Sequence, residues 1–256
     1  MKREGGASKG RKVCHGEGEG GFGEVKKREG GASKGRKVVR ACPVRSSNRE
    51  SVKIINSNHE SSISNDDVMA ESFVLPKLDT HEVEVLKEIW GKLNLPEKKG
   101  WGSATDPCSI NTEGKNISVE CDCCFKGNTT CHAILVAIKN QNVSTALPLE
   151  FTKLRYLKFL ELSRNCLYGT IPSEWATMHL TNLSLLANKF SGAFPMVLTR
   201  MTTLIDLSIE GNRFSGPIPK EIAKLKILKK LVLSSNDFTG ELPFAFAKLT
   251  NLIILR

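Results

Sequence analysis

The stretch Leu207–Pro219 reads LSIEGNRFSGPIP, and its pattern of residues occurs four more times in the C-terminal half of the chain. Each copy has an apolar-x-apolar pair followed by a polar amide residue and ends in an apolar-Pro pair, and all but the first also have a Gly. Steps of 24, 23, 24 and 24 residues separate the amide residues, and such a period is typical of a solenoid built from repeated turns. The other copies are Val136–Pro148, Leu160–Pro172, Leu183–Pro195 and Leu231–Pro243; the amide residues are Gln141, Asn165, Asn188, Asn212 and Asn236.

Each position that recurs from turn to turn has a physical role. Alternate strand residues point to the same side, so Leu160 and Leu162 enter the interior together. An inward Asn satisfies backbone groups that have no ladder partner, Gly permits the bend, and Pro suits the outer edge. One turn cannot bury enough apolar surface to fold alone, so turns must stack. We predict an α/β leucine-rich-repeat solenoid over residues 133–256, with five turns and a concave parallel sheet whose strands are centred on Ala137, Glu161, Ser184, Ser208 and Val232.

The N-terminal arm differs sharply in composition. Residues 1–50 hold 14 Lys and Arg against six Glu, which accounts for +8 of the total charge of +10. The segment KREGGASKGRKV occurs at Lys2–Val13 and again at Lys27–Val38. Such a Gly-rich, charged sequence cannot bury a core, so residues 1–72 are predicted to be disordered, with binding of RNA or anionic lipid as the functional alternative. The nearly neutral remainder argues against nucleic-acid binding through the repeats.

Residues 73–132 are predicted to form the cap that covers the first turn. Val83, Leu86, Trp90 and Leu93 fall on one helical face, and Asp79 or Thr80 is the expected N-cap. Disulfides are expected in this cap, and a zinc site is the alternative. We expect two disulfides drawn from Cys108, Cys121, Cys123 and Cys131, with Cys166 a lone thiol; no metal and no cofactor are expected.

Two observations on the compartment conflict. Disulfides and four glycosylation sequons indicate an oxidising, extracellular environment. Met1–Lys12 contains no apolar signal segment, and the sequence contains no run of about 18 apolar residues, so the chain as written would stay in the cytosol. We therefore suspect an incomplete or misassembled N-terminus. The sequons begin at Asn116, Asn128, Asn142 and Asn182.

Two short motifs resemble parts of a protein kinase. Gly18–Val25 fits the glycine loop, and Val136–Lys139 spells the strand that carries the ATP-pairing lysine. In a kinase that lysine follows the loop by roughly one hairpin, whereas here more than 110 residues intervene, and neither H-R-D nor D-F-G occurs. Phosphoryl transfer by this chain is therefore not expected.

Residues 73–256 resemble the extracellular domain of plant leucine-rich-repeat receptor-like serine/threonine kinases. The resemblance rests on the Trp101 to Asp106-Pro-Cys-Ser cap and on turns that end in G-x-I-P. Glu174–Met178 and Ser184–Lys189 most resemble the subfamily with a malectin-like domain after the repeats. The resemblance implies a place at the extracellular side of the plasma membrane. It also implies a membrane helix and a kinase domain elsewhere in such a receptor.

The leading hypothesis for function is a binding module whose concave face recognises a peptide, a carbohydrate or a co-receptor. An intracellular scaffold is the alternative. Leu249, Leu252 and Leu255 start a further turn whose Asn would fall at about position 260, so we expect the solenoid to be truncated and the chain to be a fragment. The predicted ligand-face residues are Lys139, Glu161, Arg164, Leu186, Asp206, Glu210 and Val232.

Overall fold

A computed structural model describes residues 77–95, 107–109, 116–125 and 130–256, and one long sheet runs through them. Seven strands of this sheet follow one another in parallel in the order β1-β3-β4-β5-β7-β9-β11, and β2 pairs antiparallel with β3. The predicted disordered arm, residues 1–72, lies outside the described residues. The strands are β1 Lys77–Leu78, β2 Ile117–Phe125, β3 Thr130–Ile138, β4 Phe159–Glu161, β5 Asn182–Ser184, β6 Ser191–Ala193, β7 Asp206–Ser208, β8 Arg213–Gly216, β9 Lys230–Val232, β10 Asp237–Phe238 and β11 Ile254–Leu255.

The cap is built on one α-helix, α1, which spans Thr80–Lys92. Asp79 is its N-cap, because its side chain accepts the backbone N–H groups of His81 and Glu82. Of the predicted inward face, Leu86, Trp90 and Leu93 are buried, and Val83 is half-buried and packs against the core. Val85 and Ile89 are buried as well, so the inward face is wider than the predicted one.

A buried carboxylate joins α1 to the first long strand. Glu82 accepts the backbone N–H of Ala133 at 2.8 Å, and its other oxygen lies 2.9 Å from Nδ1 of His132. A hydrogen-bonded carboxylate is the form in which a charge can be buried at acceptable cost. This contact fixes the helix over the end of the solenoid, as a cap requires.

Disulfides hold the cap together. The structure pairs Cys108 with Cys121 and Cys123 with Cys131, so these four sulfurs are not available to a zinc ion. The expectation that Cys166 is a lone thiol was wrong, because Cys166 is disulfide-bonded. Cys166 occupies a position of the repeat that varies from turn to turn, directly after Asn165, and its side chain is buried.

The outer side of the solenoid is made of short 3₁₀ helices, each of which follows the Pro of its turn or begins within three residues of it. Only a few residues separate the Pro of each turn from the point where the chain returns to the sheet. This is too short for a regular α-helix, so the tighter 3₁₀ helix forms. A second, three-stranded parallel sheet, β6-β8-β10, flanks these helices. The helices are η1 Pro107–Ser109 in the cap and η2 Leu149–Lys153, η3 Ser173–Thr177, η4 Leu198–Arg200, η5 Lys220–Lys224 and η6 Phe244–Lys248 in the turns.

The interior is lined by the leucines of the repeats. Leu162, Leu185 and Leu233 are all buried, as the predicted register requires. The strands, however, begin one residue earlier than predicted, so that Leu160 is the centre of β4. Aromatic side chains fill the wider layers: Phe151 packs edge-on against Trp175 at 5.7 Å, and Phe190 stacks on Phe214 at 6.2 Å.

One turn is a residue shorter than the others, and this changes the outer layer. Leu180 lies eight positions after Pro172, whereas the corresponding leucine lies nine positions after the Pro in the other turns. Met178, which ends η3, is extended with ψ 142°, while the residues at its position elsewhere have ψ between 64° and 82°. Helices η2 and η3 pack together, as do η4 with η5 and η5 with η6. Between η3 and η4 a cavity of about 330 Å³ opens instead.

Candidate functional site

Three rows of side chains cover the exposed side of the long sheet, which we call the sheet face. The strand register aligns the rows, since Phe159 pairs with Asn182, Asn182 with Asp206 and Asp206 with Lys230. The ladder continues past the strands, because the N–H of Ala187 donates to Glu210 at 2.8 Å. The first row is Leu135, Phe159, Asn182, Asp206, Lys230 and Ile254; the second is Ala137, Glu161, Ser184, Ser208 and Val232; the third is Lys139, Ser163, Leu186, Glu210 and Ser234.

The Asn ladder makes this face rigid. The side-chain Nδ2 of Asn188 donates to Leu162 of the preceding turn and Leu185 of its own, both at 3.0 Å. Its Oδ1 accepts the N–H of Leu167 at 3.1 Å. Asn165, Asn212 and Asn236 repeat this arrangement. Each amide therefore ties two turns together directly behind the sheet face.

A residue in the left-handed conformation precedes the amide residue in every turn. It directly follows the third-row residue, at the point where the chain leaves the sheet. The φ angles are 57° at Arg164 and 54° at Ala187, and Gly211 has φ 66°. A non-glycine residue in this region carries a conformational cost, which here is offset by the stacked ladder around it. Asn140 and Ser235 complete the column, with φ 51° and 55°.

At the N-terminal end of the sheet face, polar contacts converge on Glu161. Lys139 lies 3.2 Å from one carboxylate oxygen, and the hydroxyl of Ser163 donates to the other at 3.0 Å. Because the ion pair is partly exposed, its contribution to stability is small. Its effect is to hold the Glu161 carboxylate in one orientation on the surface.

A second pair lies in the middle of the face. Nδ2 of Asn182 donates to Oδ2 of Asp206 at 3.0 Å, and the Thr181 hydroxyl donates to Oδ1 of Asn182 at 2.9 Å. Farther along, Ser234 donates to Glu210 at 2.9 Å. The acids of this face are thus positioned by neighbouring turns, and each keeps acceptor capacity toward solvent.

The structure places the predicted ligand-face residues on or beside the sheet face, but not all with equal exposure. Arg164 is exposed, and Leu186 is half-buried. Val232 is only 4% exposed, so it offers little contact area. The sequence pattern identified its row correctly but could not show how closely the adjacent strands cover it.

Of the first row, the predicted ligand face included only Asp206, because the strand centres lie one residue before the predicted ones. Phe159 is 39% exposed there, and Tyr156, just outside the row, is 38% exposed. The ring of Tyr156 packs on His132 with centroids 4.0 Å apart. The usable signal was the residue before each L-x-L pair, which varies from Phe to Asn, Asp and Lys.

The glycosylation candidates differ in accessibility. Asn142 is exposed, with its Oδ1 3.2 Å from the disulfide-bonded sulfur of Cys166. Asn116 is half-buried beside β2. Asn182 is half-buried and uses its Nδ2 in the bond to Asp206, so a glycan there would replace this contact on the sheet face. Asn128 lies outside the described residues.

Charge also joins the cap to the first turn. Burial raises the pKa of Glu150, but the hydrogen bond and the charge of Lys92 outweigh burial and hold that pKa below its ordinary value of 4.5. The hydrogen bond from Lys153 to Glu88 raises the pKa of Lys153. Both contacts link helix α1 to η2.

Comparison with known proteins agrees with this architecture. The family described as Leucine Rich Repeat matches residues 156–178, 203–225 and 228–249. The matched segments leave out residues 179–202, which begin in the turn that is one residue shorter than the others. The chain therefore contains leucine-rich repeats.

The relatives of the chain are plant receptor kinases. A probable LRR receptor-like serine/threonine-protein kinase of Arabidopsis thaliana is 49% identical over 138 residues, which are 50% of this chain. A second such kinase from the same plant is 38% identical over 144 residues, or 52% of this chain. The match amounts to 13% of the length of each relative.

Solved structures share the fold. A plant ice-binding protein has a TM-score of 0.58 and 28% identity, over 68% of this chain and 54% of its own. The ectodomain of the Arabidopsis receptor kinase SOBIR1 has a TM-score of 0.53 and 20% identity, over 69% and 91%. The Arabidopsis receptor kinase HAESA, solved with the peptide hormone IDA and the co-receptor SERK1, has a TM-score of 0.54 and 22% identity, over 69% and 33%.

Proposed function

We propose that the chain is an extracellular recognition module of a plant receptor-like kinase and that the sheet face binds its partner. The observation that carries this proposal is the 49% identity to a receptor-like kinase over 138 residues. A stack of at least five aligned strands also supplies a surface broad enough for an extended peptide or a second protein. Membrane attachment and phosphoryl transfer would belong to other parts of such a receptor.

The chemistry of the sheet face supports recognition of a protein or peptide. Its acids are held by cross-turn contacts, Glu161 by Lys139 and Asp206 by Asn182. Preorganised side chains lose little conformational entropy on binding, so more of the contact energy contributes to affinity. The mixture of charges favours a partner that presents both donors and acceptors. A carbohydrate is the remaining partner class for this face.

The extracellular location is supported by the cap. Disulfides such as Cys108–Cys121 persist in oxidising compartments and are rare in the cytosol. Within the part of the chain that the structure describes, no helix has the length and apolar character needed to cross a bilayer. An intracellular scaffold would need a different explanation for the paired cysteines.

Binding to a co-receptor ectodomain tests the role of the sheet face. The full chain would be immobilised and titrated with the SERK1 ectodomain, using Ser208→Arg on the sheet face and Ser173→Arg on the outer 3₁₀ helix as matched variants. Ser208 is in the central row and half-buried, whereas Ser173 is exposed. We expect saturable binding that Ser208→Arg weakens at least tenfold and Ser173→Arg changes less than twofold. Absent binding, or equal effects of the two variants, would contradict the proposal.

A further inference from the structure

One flank of the solenoid is strongly basic, whereas residues 77–256 as a whole hold 22 Lys and Arg against 17 Asp and Glu, a net charge of +5. Five segments run from the last residue of each outer 3₁₀ helix to the sheet: residues 153–160, 177–183, 200–207, 224–231 and 248–255. Together they contain nine Lys and Arg and a single acid, Asp206. We call the nine cations the basic flank: Lys153, Arg155, Lys158, Arg200, Lys224, Lys226, Lys229, Lys230 and Lys248.

Backbone hydrogen bonds stack these segments directly on one another. The N–H of Thr181 donates to Lys158 at 2.8 Å, that of Ile205 to Thr181 at 2.7 Å, and that of Lys229 to Ile205 at 2.8 Å. Lys158 and Lys229 therefore stand in one row, three turns apart. At the spacing of hydrogen-bonded strands, about 4.8 Å per turn, the row is about 14 Å long between them.

The charges of the basic flank face solvent and are largely unneutralised. All nine side chains are exposed. Among the described residues, Lys153 is the member with an ion pair, to Glu88 at 2.7 Å. Asp206, the single acid, is engaged by Asn182. Repulsion among like charges opposes folding, and a bound polyanion would relieve it.

Aromatic rings lie at the N-terminal end of the same flank. Tyr156 is between Arg155 and Lys158 in sequence and half-exposed, and Phe159 follows directly. His132 supports the Tyr156 ring from the other side. The face of an aromatic ring carries negative partial charge and packs against C–H groups such as those of a sugar ring. Cations next to exposed rings therefore suit a polymer that is both anionic and saccharide in nature.

We propose that the basic flank binds a linear anionic polysaccharide of the polyuronate class, which lies along the solenoid axis. Seven of the nine cations are lysines, whose compact charges suit many weak contacts with carboxylates repeated along a polymer better than one bidentate contact. The basic flank borders the sheet face and shares Lys230 with its first row, whereas the other eight cations lie outside the three rows. This inference rests on the proposed extracellular function only in choosing a polysaccharide over a nucleic acid, which would meet the same chemistry.

The test is binding of polygalacturonate to the full chain by isothermal titration calorimetry. The flank variant K224E/K226E/K229E, whose three positions lie outside the sheet face, is compared with the control K87E/R213E/K220E, which makes the same charge change at exposed positions off the flank. Both keep the basic residues 1–50, so any contribution of that segment is common to them. We expect the flank variant to weaken binding at least tenfold and to flatten its salt dependence, while the control loses less than threefold. Tyr156→Ala should weaken binding severalfold at high salt, where the ions screen the attraction between the lysines and the polymer and ring packing contributes a larger share of the affinity.

Thermal melting first establishes that each variant is folded; if the flank variant is not, K224Q/K226Q/K229Q replaces it, with K87Q/R213Q/K220Q as control. Equal losses in flank and control variants would overturn the proposal, since binding would then follow net charge. Tighter, flank-dependent binding of single-stranded DNA or polyglutamate than of polygalacturonate would overturn it in favour of a nucleic acid or an acidic protein. Retained SERK1 binding in a variant that no longer binds polygalacturonate would separate this surface from the sheet face.

Discussion

The side-chain amide of Asn212 donates a hydrogen bond to the backbone carbonyl of Leu185, 2.9 Å away in the preceding turn. The same Nδ2 donates to Ile209 at 3.0 Å, and Oδ1 accepts the N–H of Phe190 at 3.1 Å. One buried side chain thus satisfies backbone groups of two turns. This relationship, repeated along the ladder, makes neighbouring turns depend on one another and keeps the sheet face in register.

Asn212→Ala should therefore lower the free energy of unfolding by several kcal/mol. The substitution strands three buried backbone groups, and each unsatisfied group costs about 1–3 kcal/mol. Chemical denaturation of the full chain measures the effect. Asn251→Ala is the control, because Asn251 also bonds across turns, to Lys226 at 2.7 Å, but in an exposed position where water can replace it. A similar loss of stability in both variants would show that the effect does not depend on burial of the Asn side chain.

Leu207→Ala should cost about 2–5 kcal/mol in the free energy of unfolding, because truncating a fully buried leucine leaves a cavity between adjacent turns. Leu242→Ala, at a side chain that is 63% exposed, should change stability by less than about 0.5 kcal/mol. Denaturant titrations of both proteins provide the comparison. If Leu207→Ala were as mild as Leu242→Ala, the assignment of inward positions would be wrong.

The inward positions could be predicted because the repeat itself encodes them. Leu162, Leu185 and Leu233 recur at a fixed distance from an Asn, and only one register buries them all. The same pattern cannot encode strand ends, because the residue before each strand leucine has no fixed chemistry. For that reason Phe159 was missed as a face residue, and Val232 was expected to be more exposed than it is.

The repeat pattern could not predict contacts between segments that are distant in the sequence. Nothing in the sequence links Glu82 to His132, 50 residues away, or pairs Lys92 with Glu150. The four predicted residues of the α1 face all pack against the core, but tertiary packing also buries Val85 and Ile89, which the predicted face did not include. Residue type alone also could not show that Cys166 is buried and disulfide-bonded.

Acidification should remove the stabilisation that Glu150 provides. Its pKa is lower in the folded chain than its ordinary value, so the ionised carboxylate stabilises the fold above the unfolded pKa of about 4.5. That contribution is lost as the pH falls through the lower, folded pKa. The stability difference between wild type and Glu150→Gln should thus be constant between pH 7 and about pH 5.5 and shrink toward pH 3. Glu174→Gln, at an exposed carboxylate, is the control; a difference that grew on acidification would contradict the assignment.

Mass mapping under non-reducing conditions should find the pairs Cys108–Cys121 and Cys123–Cys131 and no free thiol at Cys166. Removing the first pair with C108S/C121S should lower the free energy of unfolding by about 2–4 kcal/mol. C123S/C131S, which opens the shorter loop, should cost less by the chain-entropy argument. Free thiols at these cysteines in mature protein would remove the support that the cap gives to an oxidising compartment.

The central claim is that the repeats work outside the cell, and protease treatment of intact cells tests it most directly. Protoplasts that express the native chain would be treated with protease and probed with an antibody against residues 130–256, with a cytosolic marker as control. We expect the epitope to disappear while the marker survives, and glycosidase to increase the electrophoretic mobility of the untreated protein by removing a glycan from Asn142. A protected epitope without a mobility shift would contradict the account and favour the intracellular scaffold.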